Sequence, residues 1–500
     1  MSEGVGMVGR RMRRHSGAVL LLLASGCATL QDPVRSNLSA PSAEVAQCAG
    51  WYRELDARID QSKVRDAGAW RIPGYPYLRT DRFTASFRDQ VLGDDETFQA
   101  WTARLRALDA EARTVELRNL PEPSLQALDM SREQAAERSG NCSGILARHD
   151  LAEAPQRAQL ATRAQVPDDY LTWQRALGLY PLTKVPFSSG IDDWHEEAVE
   201  DFRKSAEGGP EAGALSRYMP AGEADRAGAS AAVAQAPVDA LGIPQLSAAQ
   251  LDALFTAHAP VIEVETTGAF DRIGTLAWGA GPAPEVDASA PVVYRKLAYT
   301  RVGGETLLQL VYMAWFSERP HDSRFDLLAG RLDGIVWRVT LDRAGEPLVY
   351  DTIHPCGCFH MFFPTPRVEP IPAPEKMIEW AFVPAPAPQL AAGERMAIRL
   401  ATRTHYMVGI AATVGGEGST YTFADYDALR VLTVAGGSRS AFRPDGMVPG
   451  TERGERAYFW PMGVPSAGAM RQWGHHATAF LGRRHFDDAD LIERRFRLTQ

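Results

Sequence analysis

No stretch of the chain approaches the run of about 20 apolar residues that a bilayer-crossing helix needs. The longest such run, residues 18–23 with a small-residue tail, is far shorter, so the body is expected to be soluble. The chain also lacks a phosphate-cradling loop, a dinucleotide glycine fingerprint, a Gly-x-Ser-x-Gly nucleophile turn and a His-Glu-x-x-His zinc motif. The nearest glycine-rich stretch, Gly415, Gly416 and Gly418 around Glu417, has no strand–helix context to present amides to a phosphate. The common enzyme classes lose weight accordingly. Nor is there a long basic stripe. Asp and Glu number 62 against 53 Lys and Arg, a net charge of −9, which argues against nucleic acid and against a polybasic hold on anionic lipid. Repeats at a fixed period are absent, and cysteine is scarce, with five in the chain. The remaining composition, 45% hydrophobic and 23% charged, is ordinary for a globular chain of two or three domains.

What is present begins at the N-terminus. Arg10, Arg11, Arg13 and Arg14 precede Leu20, Leu21, Leu22 and Leu23, then Ala24, Ser25, Gly26 and Cys27. A basic start, a short apolar core and small residues are the parts of an export signal. With a cysteine at the cut site, the segment resembles a bacterial lipoprotein signal. It departs from that pattern at Ala24, where the class prefers Leu. The resemblance implies a signal peptide over 1–26, acylation of Cys27 and a tether over 27–42. It also implies a lipid-anchored protein of the cell envelope. Ala28 stands where an Asp often marks inner-membrane retention, which points to the outer membrane, facing the periplasm. The same parts would serve a plain export signal cut near Ala28. Residues 1–26 hold four Arg and one Glu, so their removal takes the net charge from −9 to −12.

Beyond the tether, Val45, Cys48, Tyr52, Leu55 and Ile59 recur at three- and four-residue steps, one face of a helix. Phe98, Trp101, Leu105 and Leu108 repeat the pattern after a capping Asp94–Asp95 start, and 131–150 reads as a third helix. Between the first two lies an aromatic stretch, 71–77, read as irregular loop. A mostly helical domain is therefore expected over 43–205. Residues 206–245, rich in Ala, Gly and Pro, read as linker. From 246 to 500 the texture is β-branched and aromatic runs bounded by turns, as in 261–264, 307–316 and 334–341. The expected fold class is α+β: a helical N-terminal domain, then an antiparallel, sandwich-like β-rich domain. Eight prolines over 364–388 predict an extended surface crossing, and 487–496 a short closing helix.

Four cysteines follow Cys27: Cys48, Cys142, Cys356 and Cys358. In an exported chain these are disulfide candidates, and sequence alone leaves the pairing open; Cys48 and Cys142 share the helical domain, where a bridge closing a long loop is expected over two free buried thiols. The densest chemistry is His354-Pro355-Cys356-Gly357-Cys358-Phe359-His360. In an extended strand His354, Cys356, Cys358 and His360 would share a face, and imidazole and thiolate suit zinc or copper. A straight strand spaces such groups about 6.5–7 Å apart, too far for one ion, so Gly357 would have to bend the chain. The other readings are a Cys356–Cys358 bridge, bridges to Cys48 or Cys142, small buried hydrophobes, or a redox-active thiol pair. His321, His405 and His475 are weaker metal candidates; His476 and His485 lie in the same histidine-rich C-terminal part. Glu318, His321 and Asp322, with Asp326 and Asp333 downstream, read as a solvated loop or a site for a hard cation or acid–base work.

The expectation is an envelope lipoprotein that binds a protein, glycan or small ligand, held to the membrane through its acyl chains. The alternative is a metal-dependent or thiol-redox enzyme built on the His354–His360 cluster. Labelled palmitate should enter the expressed chain, and Cys27→Ser should abolish the label and release the protein from the membrane fraction. A Cys27→Ser chain that retains the label would remove the signal reading.

Overall fold

The computed structural model describes residues 42–208, 213–323 and 325–499. The signal, Cys27 and all of the tether but Ser42 lie outside the described residues.

The N-terminal region folds as its periodicity predicts. The helix Ala43–Gln61 starts where Ser42 accepts from the Val45 amide, and it buries Val45, Cys48, Tyr52, Leu55 and Ile59. The helix Asp95–Asn119 is capped by Asp94, and Arg132–Asp150 by a Ser131–Gln134 capping box. Cys48 and Cys142 form a disulfide between the first and third of these helices. The 71–77 stretch is not irregular: Trp70–Ile72 and Tyr75–Thr80 form an antiparallel hairpin turned at Gly74. Its side chains Ile72, Tyr75, Tyr77 and Leu78 join the helices in one core.

Charge is buried here too. Arg79 is wholly enclosed between Asp109 at 3.1 Å and Glu116 at 2.7 Å. Arg113 lies 3.4 Å from each of the same two carboxylates. Burial pushes the Glu116 carboxyl up, but Arg79, Arg113 and Arg71 outweigh it and hold the group below its ordinary value.

The C-terminal part is built on one twelve-stranded sheet, mostly antiparallel but mixed. Its order is Met361–Pro364, Pro347–Ile353, Gly330–Leu341, Glu305–Arg319, Val292–Val302, Ser419–Asp425, Ala214–Pro220, Val261–Thr266, Arg395–Leu400 and Met407–Thr413. Ile273–Trp278 also pairs with Glu305–Arg319 and carries Pro284–Asp287. Ser419–Asp425 lies parallel to both its neighbours, as Arg395–Leu400 does to Val261–Thr266. The expected α+β class, helical first and β-rich after, is what forms, and the β-rich part is built on one continuous sheet. Alternation along a strand reveals which face a side chain takes, not which strand lies beside it.

Both faces of the sheet are covered. From Glu305–Arg319, Leu308, Leu310, Tyr312, Ala314 and Phe316 enter one core, and Val311, Met313 and Trp315 another. Burial on both faces is why this strand reads as a nearly unbroken apolar run. The first core is closed by the helices Tyr180–Ala206, Arg226–Gln235 and Ala248–His258. The second is closed by C-terminal loop residues such as Leu429, Phe442, Met470 and Phe486.

Two elements, one strand and one covering helix, fall in the stretch read as linker. Ala214–Pro220 is a strand of the sheet, and Arg226–Gln235 is a helix burying Ala229, Ser230 and Val233. Its small side chains let it approach closely. Ser230 Oγ donates to the Gly345 carbonyl at 2.9 Å, and a Cβ on Gly345, whose φ is +78°, would lie 2.6 Å from Ser230 Cα. The proline-rich stretch is extended, pairing only as Val368–Pro370 with Phe496–Leu498, and the tail contains the short helix Leu491–Arg495.

Two stability predictions follow from the N-terminal packing. Replacing Cys48 and Cys142 with Ser opens a 94-residue separation and should cost about 2–4 kcal/mol by urea unfolding. Arg79→Met should cost about 3–5 kcal/mol, because Asp109 and Glu116 stay buried with less counter-charge. A loss under about 1 kcal/mol would show that the cluster is open to water.

Candidate functional site

The 354–360 segment joins the strands Pro347–Ile353 and Met361–Pro364. It does not run extended. The Gly357 amide donates to the His354 carbonyl at 2.8 Å, and the His354 amide to the Cys358 carbonyl at 3.0 Å, closing a tight loop. Gly357 has φ +91°, and a Cβ there would meet the Ala477 carbonyl oxygen at 2.5 Å, so only glycine fits. Coiling destroys the period-two alignment that the shared-face reading requires.

The two histidines then go to different carboxylates. His354 Nδ1–H donates to Asp333 at 3.1 Å. His360 Nε2–H donates to Asp351 at 3.0 Å, which also accepts from Arg338 Nε at 2.9 Å. Cys356 is buried in the core behind the sheet, and its sulfur accepts from the Cys358 amide at 3.4 Å. Neither thiol is in a disulfide. The hydrogen bond with Cys356, and then burial, push the Cys358 thiol well above its ordinary value. A nucleophilic or metal-ligating cysteine needs the opposite shift.

The weaker candidates scatter. His405 stacks flat on Phe316, with ring centres 3.8 Å apart, and lies between Asp333 at 3.0 Å and Asp271 at 3.4 Å. Asp333 therefore joins His405 to His354 in a buried row of alternating acid and imidazole. Burial holds His354 below its ordinary value and neutral. Burial opposes charge on His405 as well, but its bonds to Asp271 and Asp333 outweigh it and raise the group. Arg453, at 3.7 Å from Asp333, adds a fixed positive charge to the row.

His321 is exposed, and its carbonyl accepts from Arg403 at 2.8 Å. His475 lies elsewhere, held by Asp169 at 3.0 Å and the Ala67 carbonyl at 2.9 Å. Glu318, Asp322 and Asp326 do not gather on one ion either. Asp322 pairs with Arg403, and Asp326 accepts from its own loop's amides. Among the described residues no group of three or more His, Cys, Asp or Glu is placed to hold a metal ion. The zinc or copper site expected at His354, Cys356, Cys358 and His360 is not formed, because each side chain already has its own partner in the core.

One open feature that sequence reasoning missed is a groove of about 500 Å³ between the N-terminal helices and the C-terminal loops. One wall begins at the end of Ala43–Gln61. There the Val64 amide donates to the Ile59 carbonyl and the Lys63 amide to the Asp60 carbonyl, both at 3.2 Å, with Lys63 at φ +56°. This is a Schellman-type stop with lysine in the place usually taken by glycine. It turns Lys63 and Arg65 into the groove wall. The other wall carries the small hairpin Leu432–Val434 and Gly437–Arg439, docked by Ser438 Oγ on the Arg118 carbonyl at 3.0 Å. Arg439 lies 3.6 Å from the centre of the Trp278 ring. Lys63, Arg65 and Arg439 have no carboxylate partner among the described residues, whereas Arg443 is tied to Asp445 and Glu452. The walls come from positions near 63 and near 439, so no local motif announces them.

No family model, curated protein or solved structure matches this chain.

The buried histidines set a pH dependence. Burial lowers His258, His360 and His476 to about 3, so they stay neutral in the fold and take up protons on unfolding below about 6.5. Their contribution is intact above pH 6.5 and is lost as pH falls toward 3. His485 behaves in the opposite sense. Burial opposes its charge, but Asp169 and Asp488 raise it to about 9, so its contribution is full below 6.5 and is lost as pH rises to 9. Urea unfolding free energies measured from pH 4 to 9 should therefore fall on both sides of about 6.5. His360→Gln keeps a donor for Asp351 and should make the acid limb shallower by about 1.4 kcal/mol per pH unit, the weight of one proton. Parallel acid limbs for the two proteins would mean that His360 is charged in the fold.

Proposed function

We propose that this chain is a lipid-anchored protein of the cell envelope that binds an anionic saccharide or similar small anionic ligand in the groove, without catalysing its conversion. The observation that carries this is the set of three uncompensated cations, Lys63, Arg65 and Arg439, around one open groove. The body they belong to carries a net charge near −12 once the signal is removed. Arg439 is held at Trp278 by stacking, so its guanidinium is pre-placed to make paired bonds to a carboxylate or phosphate. Pre-placement lowers the entropy lost on binding. The envelope location rests on the residues around Cys27, and the outer membrane on Ala28.

A thiol-redox reading keeps one favourable observation, the contact between the Cys358 amide and the Cys356 sulfur in a chain read as exported. The upward shift of Cys358 weighs against it, since thiolate is the reactive form.

Calorimetric titration of the mature chain with a galacturonate oligosaccharide and with its neutral galactose counterpart separates the outcomes. The acidic ligand should bind and the neutral one should not, with affinity falling as salt rises. Arg65→Ala combined with Arg439→Ala should weaken binding by about tenfold or more, equivalent to about 1.4 kcal/mol. Equal binding of both sugars, or no effect of the double substitution, would remove the groove from the account.

A further inference from the structure

A second surface stands out from the acidic body. The helix Thr172–Leu177 and the start of Tyr180–Ala206 carry Trp173, Leu177, Leu179, Leu182 and Val185, each more than half exposed. Tyr458 is exposed beside them, with its ring 5.0 Å from Phe187, and Trp173 lies 5.9 Å from Trp460. The turn between the two helices presses Gly178 against Pro461, where a Cβ would lie 2.6 Å from Pro461 Cα. Leu179, at φ +50°, begins the second helix with its side chain in solvent. The two segments therefore form one apolar shoulder.

Its charge is as unusual as its polarity. Neither 170–191 nor 456–486 contains an Asp or Glu, in a chain with 62 of them, while Lys184 and Arg456 are present; Arg175 is buried and donates to the Met462 and Gly482 carbonyls. Exposed Leu and Val with Trp and Tyr, flanked by cations and free of acids, is the chemistry of a surface that lies in a bilayer interface. A protein partner of ordinary composition would not require carboxylates to be absent.

We infer that this shoulder rests on the bilayer that carries the acyl chains of Cys27. The inference builds on the lipid-anchor reading and adds the face by which the body meets the membrane. Chain length permits it. The fifteen steps from Cys27 to Ser42 reach about 50 Å when extended, against a radius of gyration of about 22 Å for a body of this size. The tether is therefore long enough to let the body turn much of its surface toward the lipid, and the shoulder's apolar area selects one face.

Bilayers of phosphatidylethanolamine and phosphatidylglycerol with bromine on the upper acyl carbons test this, because bromine quenches indole on contact. The mature chain is added with Cys27 acylated and, separately, as Cys27→Ser. Emission from Trp173 and Trp460, two of 11 tryptophans, should be quenched in the acylated chain, and the quenching should vanish in Trp173→Phe/Trp460→Phe. Leu179→Asp/Leu182→Asp should abolish quenching while the acylated protein still sediments with vesicles. In the Cys27→Ser chain it should lower vesicle binding by about tenfold. Sedimentation of the acylated wild type without quenching would overturn the docking and leave the anchor standing. Absence of lipid on Cys27 would overturn the anchor, and the Cys27→Ser arm would then decide the docking alone. If the Cys27→Ser chain pairs in solution and Leu179→Asp/Leu182→Asp abolishes the pairing, a second copy covers the shoulder and the proposal falls.

Discussion

The structure depends on one sheet being dry on both faces. Glu305–Arg319 sends alternate side chains into two separate cores, so no polar group near it can fall back on water. Charged residues that the sheet encloses must find their partners inside, whether an opposite charge or a neutral acceptor such as the Tyr406 hydroxyl that takes Arg319. Arg338 takes Asp351, and Asp333 takes His354 and His405. Unpaired, each would carry a desolvation penalty larger than most single contacts can offset. The residues that look most like chemistry in the sequence are therefore the ones the sheet consumes for its own neutrality. A mark of reactivity in a linear chain, histidine next to cysteine next to histidine, here labels a tight loop whose imidazoles are buried against carboxylates.

Much of the helical half was legible. The steps from Val45 to Ile59 and from Phe98 to Leu105 predict buried faces because a helix repeats every 3.6 residues, and those faces are buried. The Cys48–Cys142 bridge was one of several open pairings, and the helices bring those two together. The order of strands was not legible. Arg395–Leu400 lies beside Val261–Thr266 because of the whole topology, and nothing within either segment encodes the other. Composition misled over 206–245, where alanine and glycine read as slack chain. Small side chains there serve close approach, as Ser230 does against Gly345. The 354–360 stretch misled because the shared-face reading needs an extended backbone, and two backbone hydrogen bonds coil it.

The groove and the shoulder could not be read locally because each is assembled from distant segments. Lys63 and Arg65 meet Arg439 only through docking of the Leu432–Val434 and Gly437–Arg439 hairpin on the Asp95–Asn119 helix. Trp173 meets Trp460 only where the short helix Thr172–Leu177 folds onto the C-terminal loops. What the sequence did offer was the contrast itself. Against an acidic average, two acid-free stretches and a few unmatched cations are the positions where burial and internal pairing do not account for composition.

Arg430 grips Asp66 through Nε at 3.0 Å and Nη2 at 2.9 Å, across 364 residues of chain. Asp66 is nearly devoid of solvent, so its partner is part of the N-terminal half rather than an accessory to it. A polypeptide emerging in order from its N-terminus must therefore hold that carboxylate uncompensated until six-sevenths of its length has been delivered. The helical half therefore gains this ion pair only after nearly all of the chain has been delivered.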